Sequence, residues 1–180
     1  HIVYDNHIEQ LFEPGKNYLY VDVGGGSTEI NLISEGELKS SRSYNIGTVR
    51  MLSGMVKNEE KEQMHTDLEV LAKEYAPIHI IGSGGNIKLF RLADKKDKKQ
   101  LFLPLASLQD IYRTLKDLPK EQRIKLFKLK PDRADVIVPA AEIFMEVATR
   151  VQANGIIVPT IGLSDGIIDS LYTKNRQWMQ

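Results

Sequence analysis

The sequence predicts an α/β domain in which a mixed sheet, opening with an antiparallel three-strand meander, is flanked by helices. Three observations predict it. The β-type runs Tyr18–Val23, Ile30–Ile33 and Glu37–Tyr44 follow one another with only turn signals between them. Short continuous apolar runs at Ile78–Ile81 and Ile156–Val158 have the form of strands buried on both faces. The segments between carry charged residues with apolar ones at helical spacing.

In chain order, His1–Gln10 reads as a helix or the end of one, and Pro14-Gly15 as a turn. Gly24–Gly26 joins the first two strands, and Glu35-Gly36 turns tightly into the third. Thr48 is placed to cap a helix over Val49–Met55. Asn58–Tyr75 carries Met64, Leu68 and Leu71 on one face and reads as an amphipathic surface helix; His65 within it reads as a solvated helix residue in preference to a metal ligand. After Ile78–Ile81, a glycine-containing loop through Asn86 leads into a helix over Ile87–Leu92. The charge run Asp94–Gln100 reads as a solvated loop in preference to a phosphate-contacting patch. Ser107 with Asp110 predicts a capping box for a helix to Leu118. Pro119 starts a short helix, Glu121–Leu129, with Leu126 and Phe127 inward. Asp132 is the N-cap of the longest helix, with an apolar face over Val136–Val151, a kink at Pro139 and Asp135 complementing the helix dipole. Asn154-Gly155 stops it, and Ser164-Asp165-Gly166 starts a last helix to Tyr172. This order is that of a ribonuclease-H-like domain, a single unit over residues 1–180 without internal repeat.

The composition narrows the function. Formal net charge is zero, which removes the global field that would draw nucleic acid or an anionic membrane. There is no cysteine, so no disulfide framework and no thiolate chemistry, which suits a cytoplasmic protein. No apolar run has transmembrane length and no signal peptide opens the chain.

The stretch Tyr18–Ser34 carries the densest chemistry. Asp22 lies at the end of the first strand, followed by Gly24, Gly25 and Gly26, then Ser27, Thr28 and Glu29. Glycines let backbone N–H groups approach an anion closely, because no Cβ stands in the way. Ser27 and Thr28 add hydroxyl donors, and Asp22 and Glu29 put negative charge beside a phosphate, which makes sense with Mg²⁺ between them. A glycine-rich hairpin turn with a solvated rim is the plain structural alternative. Further along, Gly84 and Gly85 lie between a strand and a helix N-terminus, where an anion or nucleotide is commonly held; close helix–strand packing favours glycine there as well. No G-x-x-x-x-G-K-[ST] element occurs, so a P-loop is excluded.

The segment DVGGGSTE, Asp22 to Glu29, resembles the phosphate-binding signature of the exopolyphosphatase/guanosine pentaphosphate phosphatase (Ppx/GppA) family, a branch of the actin, Hsp70 and sugar-kinase superfamily. NIGTVRM from Asn45, IGSGGNI from Ile81, PDRADVIVPAAEIF from Pro131 and GLSDGIID from Gly162 follow in the family's order. Ser164 and Asp165 stand where the family commonly has Arg-Glu, so a cationic contact from there is absent.

The resemblance implies the second domain of a two-domain, Mg²⁺-dependent phosphoanhydride hydrolase acting on polyphosphate or guanosine pentaphosphate. It implies phosphate binding by Gly24, Gly25, Gly26, Ser27 and Thr28, metal binding by Asp22 and Glu29, and an anion loop at Gly84 and Gly85. The family's general-base Glu belongs upstream of His1, and its other phosphate loop belongs to the first domain. The expected partners are therefore the substrate, that first domain and a second copy in a homodimer; neither nucleic acid nor membrane is expected. Two other functions fit the same loops: the nucleotide-binding half of an ATP-dependent sugar or acetate kinase relative, and a regulatory nucleotide-binding module without catalysis.

Overall fold

The computed structural model describes residues 13–84, 86–87, 89–90 and 101–159. Six strands form one mixed sheet: β1 (Asn17–Val23), β2 (Thr28–Ser34), β3 (Glu37–Tyr44), β4 (Ile78–Ser83), β5 (Phe102–Pro104) and β6 (Gly155–Ile157), in the spatial order β3-β2-β1-β4-β6-β5. β1, β2 and β3 are the expected antiparallel meander. β4 and β6 run parallel to β1, and β5 closes the far edge antiparallel to β6. The helices are α1 (Thr48–Leu52), α2 (Asn58–Tyr75), α3 (Leu105–Asp117), α4 (Lys120–Phe127) and α5 (Pro131–Arg150); Asn86, Ile87, Leu89 and Phe90 also have helical backbone.

The meander follows from its turns. Glu35 and Gly36 both take positive φ, 56° and 74°, as a two-residue turn matched to strand twist requires. Central position explains the apolar runs. β1 lies between β2 and β4, and Leu19, Val21 and Val23 are buried on one face while Tyr18 and Tyr20 are buried on the other. α5 covers the first of these faces. Its Ala134, Ile137, Ala141, Phe144 and Ala148 recur every three or four residues and are buried, the small ones letting α1, α2 and α3 pack against it.

Several local expectations give way to tertiary contacts. Thr48 does not cap α1; Gly47 occupies that position and Thr48 is buried in the first turn. The Ser107–Asp110 capping box does not form. α3 begins earlier, at Leu105, whose N–H donates to the Asn154 carbonyl at 2.8 Å, so Ser107 is buried within the helix and Asp110 pairs with Arg113. Leu126 is 63% exposed, not inward, although Phe127 is partly buried. Lys130, not Asp132, caps α5, and Asp135 pairs with Lys120 at 2.8 Å. His65 lies 2.9 Å from Glu146, which also takes Arg150, so it bridges α2 to α5 instead of standing in solvent. Residues 1–12, the Asp94–Gln100 run and the helix from Ser164 lie outside the described residues.

Gly82 pairs with Val21 at the centre of the sheet. A methyl group there would lie 2.8 Å from Ile156 Cγ2, 3.0 Å from Ile87 Cγ1 and 3.3 Å from Phe144 Cε1. Overpacking of a dense core costs about 1–3 kcal/mol, and Gly82→Ala is expected to lower the urea unfolding free energy by that amount without altering the m-value.

Candidate functional site

The parallel strands β1 and β4 end side by side, Asp22 opposite Ser83. The loops that leave them therefore emerge at one sheet edge, the edge at which open α/β sheets bind ligands. Asp22 Oδ1 lies 3.9 Å from where a Cβ of Gly84 would stand, so the structure brings Asp22 and Gly84 together; Gly84 itself has φ +104°. Gly85 lies outside the described residues.

Gly24–Ser27 is a four-residue hairpin loop between the paired Val23 and Thr28, closed by the Gly24 N–H donating to the Ser27 carbonyl at 2.9 Å. Its other carbonyls are claimed from one side. The N–H of Thr48 donates to Gly24 O at 3.0 Å, those of Val49 and Arg50 to Gly25 O at 3.0 and 3.3 Å, and Arg50 Nε to Gly26 O at 2.6 Å. In a trans peptide the C=O of one residue and the N–H of the next point in opposite directions. With three successive carbonyls turned toward α1, the N–H groups of Gly25, Gly26 and Ser27 turn away from it. None of them donates to an acceptor among the described residues. Successive backbone N–H groups turned to one side of a loop are the kind of donor set that can hold an anion.

The glycine triplet is not demanded by backbone conformation, since Gly24, Gly25 and Gly26 do not take positive φ. Nor does packing demand it throughout. A Cβ on Gly26 meets nothing within 4 Å, and one on Gly25 meets first the Val49 side chain at 3.1 Å. The residue that must be glycine for steric reasons is Gly47, where a Cβ would collide with the backbone of Gly25 and Gly26. A Cβ on Gly24 would meet the Ser27 carbonyl at 3.3 Å, so of the three positions only Gly26 has open space around it.

Two further groups hold this arrangement. Thr28 is fully buried and its hydroxyl donates to the Ile46 carbonyl at 2.6 Å, so Thr28 braces the loop and is not placed to meet a phosphate, contrary to expectation. Tyr44, the strand partner of Thr28, donates to Asp67 Oδ2 on α2 at 2.7 Å. Burial first, and then that bond, push the Tyr44 phenol well above its ordinary pKa, so it stays a donor. The Asn45 N–H adds a bond to Glu60 at 3.2 Å. The segment that carries Gly47 is thus pinned to α2.

Asp22 and Glu29 are direct cross-strand partners, on one face of the β1–β2 pair. Two carboxylates so placed have Cβ atoms roughly 5 Å apart and repel each other. A divalent cation between them reverses the sign, and Mg²⁺, which keeps much of its water, needs only one or two carboxylates beside a phosphate. Among the described residues no group of three or more His, Asp or Glu is placed to hold a metal ion.

Sequence reasoning missed Gly47 and Arg50 as parts of the site. Their signal was the segment NIGTVRM, but bonds spanning 24 residues cannot be read from local pattern. The larger described grooves lie elsewhere, between α2 and α5 (about 520 Å³, lined by Glu69, Lys73 and Arg150) and between α3 and α5 (about 650 Å³). None of the described grooves is lined by the glycine loop. No helix among the described residues is long and apolar enough to cross a membrane.

The chain matches the model of the Ppx/GppA phosphatase family over residues 4–175. Exopolyphosphatase 2 of Mycobacterium tuberculosis is 27% identical to it over 187 residues, which cover 91% of this chain and 58% of that protein. The solved Aquifex aeolicus Ppx/GppA phosphatase is similar with a TM-score of 0.69 at 26% identity, over 93% of this chain and 60% of that one. An exopolyphosphatase from Cytophaga hutchinsonii shares the fold, with a TM-score of 0.70 at 21% identity over 96% of this chain and 64% of that one. The chain spans about three-fifths of the length of these relatives. With a family match running through nearly all of its residues, from the first strands of the sheet to the segment after β6, the chain belongs to the Ppx/GppA phosphatase family.

Proposed function

We propose that this chain supplies the phosphate- and metal-holding wall of a phosphoanhydride hydrolase that removes a terminal phosphoryl group from polyphosphate or guanosine pentaphosphate by attack of water. The observation that carries the reading is the set of three N–H groups, on Gly25, Gly26 and Ser27, turned away from α1 beside the paired carboxylates Asp22 and Glu29. Family membership and the printed name of the M. tuberculosis relative support the same reaction class.

In this reading the three amides hold the oxygens of the transferred phosphoryl group, and the Ser27 hydroxyl adds a donor at the loop's end. Preorganised donors aimed at developing charge are the main resource of phosphoryl-transfer enzymes. Asp22 and Glu29 would hold Mg²⁺, which would supply neutralisation of phosphoryl charge. The base that orients water and the loop facing this one come from another part of the full-length protein, across a cleft of which these residues form one side. Gly84, beside Asp22, lines the same edge.

Three measurements test this reading. In the full-length protein, Asp22→Asn is expected to lower Mg²⁺-dependent phosphate release from polyphosphate by about a hundredfold or more, since charge stabilisation of that kind supplies several kcal/mol; an unchanged Mg²⁺ titration removes Asp22 from the site. Gly47→Ala must displace backbone atoms of Gly25 and Gly26. It is expected to weaken binding of a phosphate analogue by at least about tenfold, as the loss of one charge-assisted hydrogen bond would, and calorimetric titration reads this directly. Phosphate release from polyphosphate and guanosine pentaphosphate, measured in parallel, is expected to be slower by about a hundredfold or more for the 180-residue chain than for the full-length protein, the typical contribution of a general base. Comparable turnover would place the whole site within these residues, and tight nucleotide binding with no phosphate release from either would favour a regulatory module.

A further inference from the structure

The three outward N–H groups of the glycine loop are not held alike. The peptide that carries the Gly25 N–H is fixed by the Thr48 amide on the Gly24 carbonyl, and the peptide that carries the Gly26 N–H by the Val49 and Arg50 amides on the Gly25 carbonyl. Both anchors are backbone groups and do not depend on the Arg50 side chain. The third peptide, Gly26–Ser27, has its carbonyl held at 2.6 Å by Arg50 Nε, and by no other donor among the described residues.

Sterics replace that bond only in part: turning this peptide changes ψ of Gly26 and φ of Ser27, and the serine, which does not take positive φ, resists the turn while the glycine does not. A Cβ on Gly26 would meet nothing within 4 Å, so the residue sits in open space, and glycine explores φ and ψ more freely than any other residue. Rotation of one peptide by half a turn would exchange the Ser27 N–H for the Gly26 carbonyl oxygen. A donor facing a phosphate would become an acceptor, and attraction would become repulsion. The Arg50 guanidinium is a suitable restraint. It is planar and permanently charged, and it sits on a helix whose first turn is bonded to the same loop.

Resting on the reading of this loop as a phosphate cradle, we propose that Arg50 is a positioning residue that holds the Gly26–Ser27 peptide with its N–H toward the phosphate, acting through that peptide and not by touching substrate.

The test is amide NMR on the full-length protein, ¹⁵N-labelled at glycine and serine, titrated with Mg²⁺ and methylenediphosphonate, whose P–C–P bridge is not hydrolysed. In the unsubstituted protein the Gly25, Gly26 and Ser27 amides are expected to shift together. In Arg50→Met, whose side chain reaches as far as the Nε position but carries no donor, the Ser27 response is expected to disappear while that of Gly25 persists. Affinity should fall by about tenfold, the loss of one hydrogen bond to a charged group. Arg50→Lys, which retains charge and a donor, is expected to restore the Ser27 response. A Ser27 response that is unchanged in Arg50→Met overturns the proposal, whatever the affinity; so does loss at Gly25 and Ser27 in parallel, which would make Arg50 a general structural or charge effect. If the unsubstituted protein shows no response at any of the three amides, the phosphate-cradle reading itself falls.

Discussion

The site depends on one set of bonds, those from the first amides of α1 to the carbonyls of the Gly24–Ser27 loop. A helix N-terminus has unsatisfied N–H groups and commonly offers them to an anion. Here they are spent on the neighbouring loop. The consequence is a transfer of polarity: because each accepting carbonyl is rigidly opposed to the next N–H, the loop presents on its far side the donors that α1 gives up. A five-residue helix is too short to be stable by itself; α1 persists because it packs on α5, buries Thr48 and is tied to the loop. Loop and helix therefore stand or fall as one unit. Gly47 is the point at which they touch, and the only side chain compatible with that approach is a hydrogen atom.

That unit is connected to the rest of the fold by polar contacts as well as by the apolar packing of Ile46 and Met51. The buried Thr28 hydroxyl holds the Ile46 carbonyl, Tyr44 holds Asp67, and the Asn45 amide holds Glu60. Each is modest alone, on the order of 1 kcal/mol net. Removing one partner of the buried Thr28 pair costs more, since the Ile46 carbonyl would be left unsatisfied. The Tyr44–Asp67 contact belongs to a group in which Arg42 and Gln63 also reach Asp67, so the path from β3 into α1 is fixed by α2. In this way the surface helix read from periodicity becomes a structural support for the loop.

How far this was legible in the sequence differs by element. The meander strands came within a residue or two of their ends because β-type residue runs and turn chemistry are local. β5 was not foreseen: three residues ending in proline carry no period, and only its pairing with β6 defines it. The Ser107 capping box failed for a related reason. The first N–H of α3 finds its acceptor in Asn154, far along the chain, and no local cap is needed. Asp22, Glu29 and the glycines were legible because their spacing places them at one turn, and the register confirms that Asp22 and Glu29 face each other. Thr28 was misread although the information was present. It lies two residues before Ile30 and four before Leu32, on the buried face of β2. Arg50 and Gly47 were not legible from residue type, since their role exists only through bonds to residues more than twenty positions away.

The openness of the loop follows from the same economy. Neutral N–H groups exposed to water exchange one hydrogen bond for another when they bind an anion, and the net gain is only about 1.5–3 kcal/mol each. The same donors act far more strongly where water is excluded and the effective dielectric is low. Gly24 and Gly26 are exposed, and no groove among those described encloses them. A wall of this kind can choose the orientation of a phosphate, through the direction of its amides and the placement of Asp22 and Glu29, but it cannot by itself remove the solvent that weakens its hold. In the proposed reading, orientation is the property of these residues and desolvation the property of whatever closes over them. Closure then strengthens donors that are already aligned, and the strength of phosphate binding reports both.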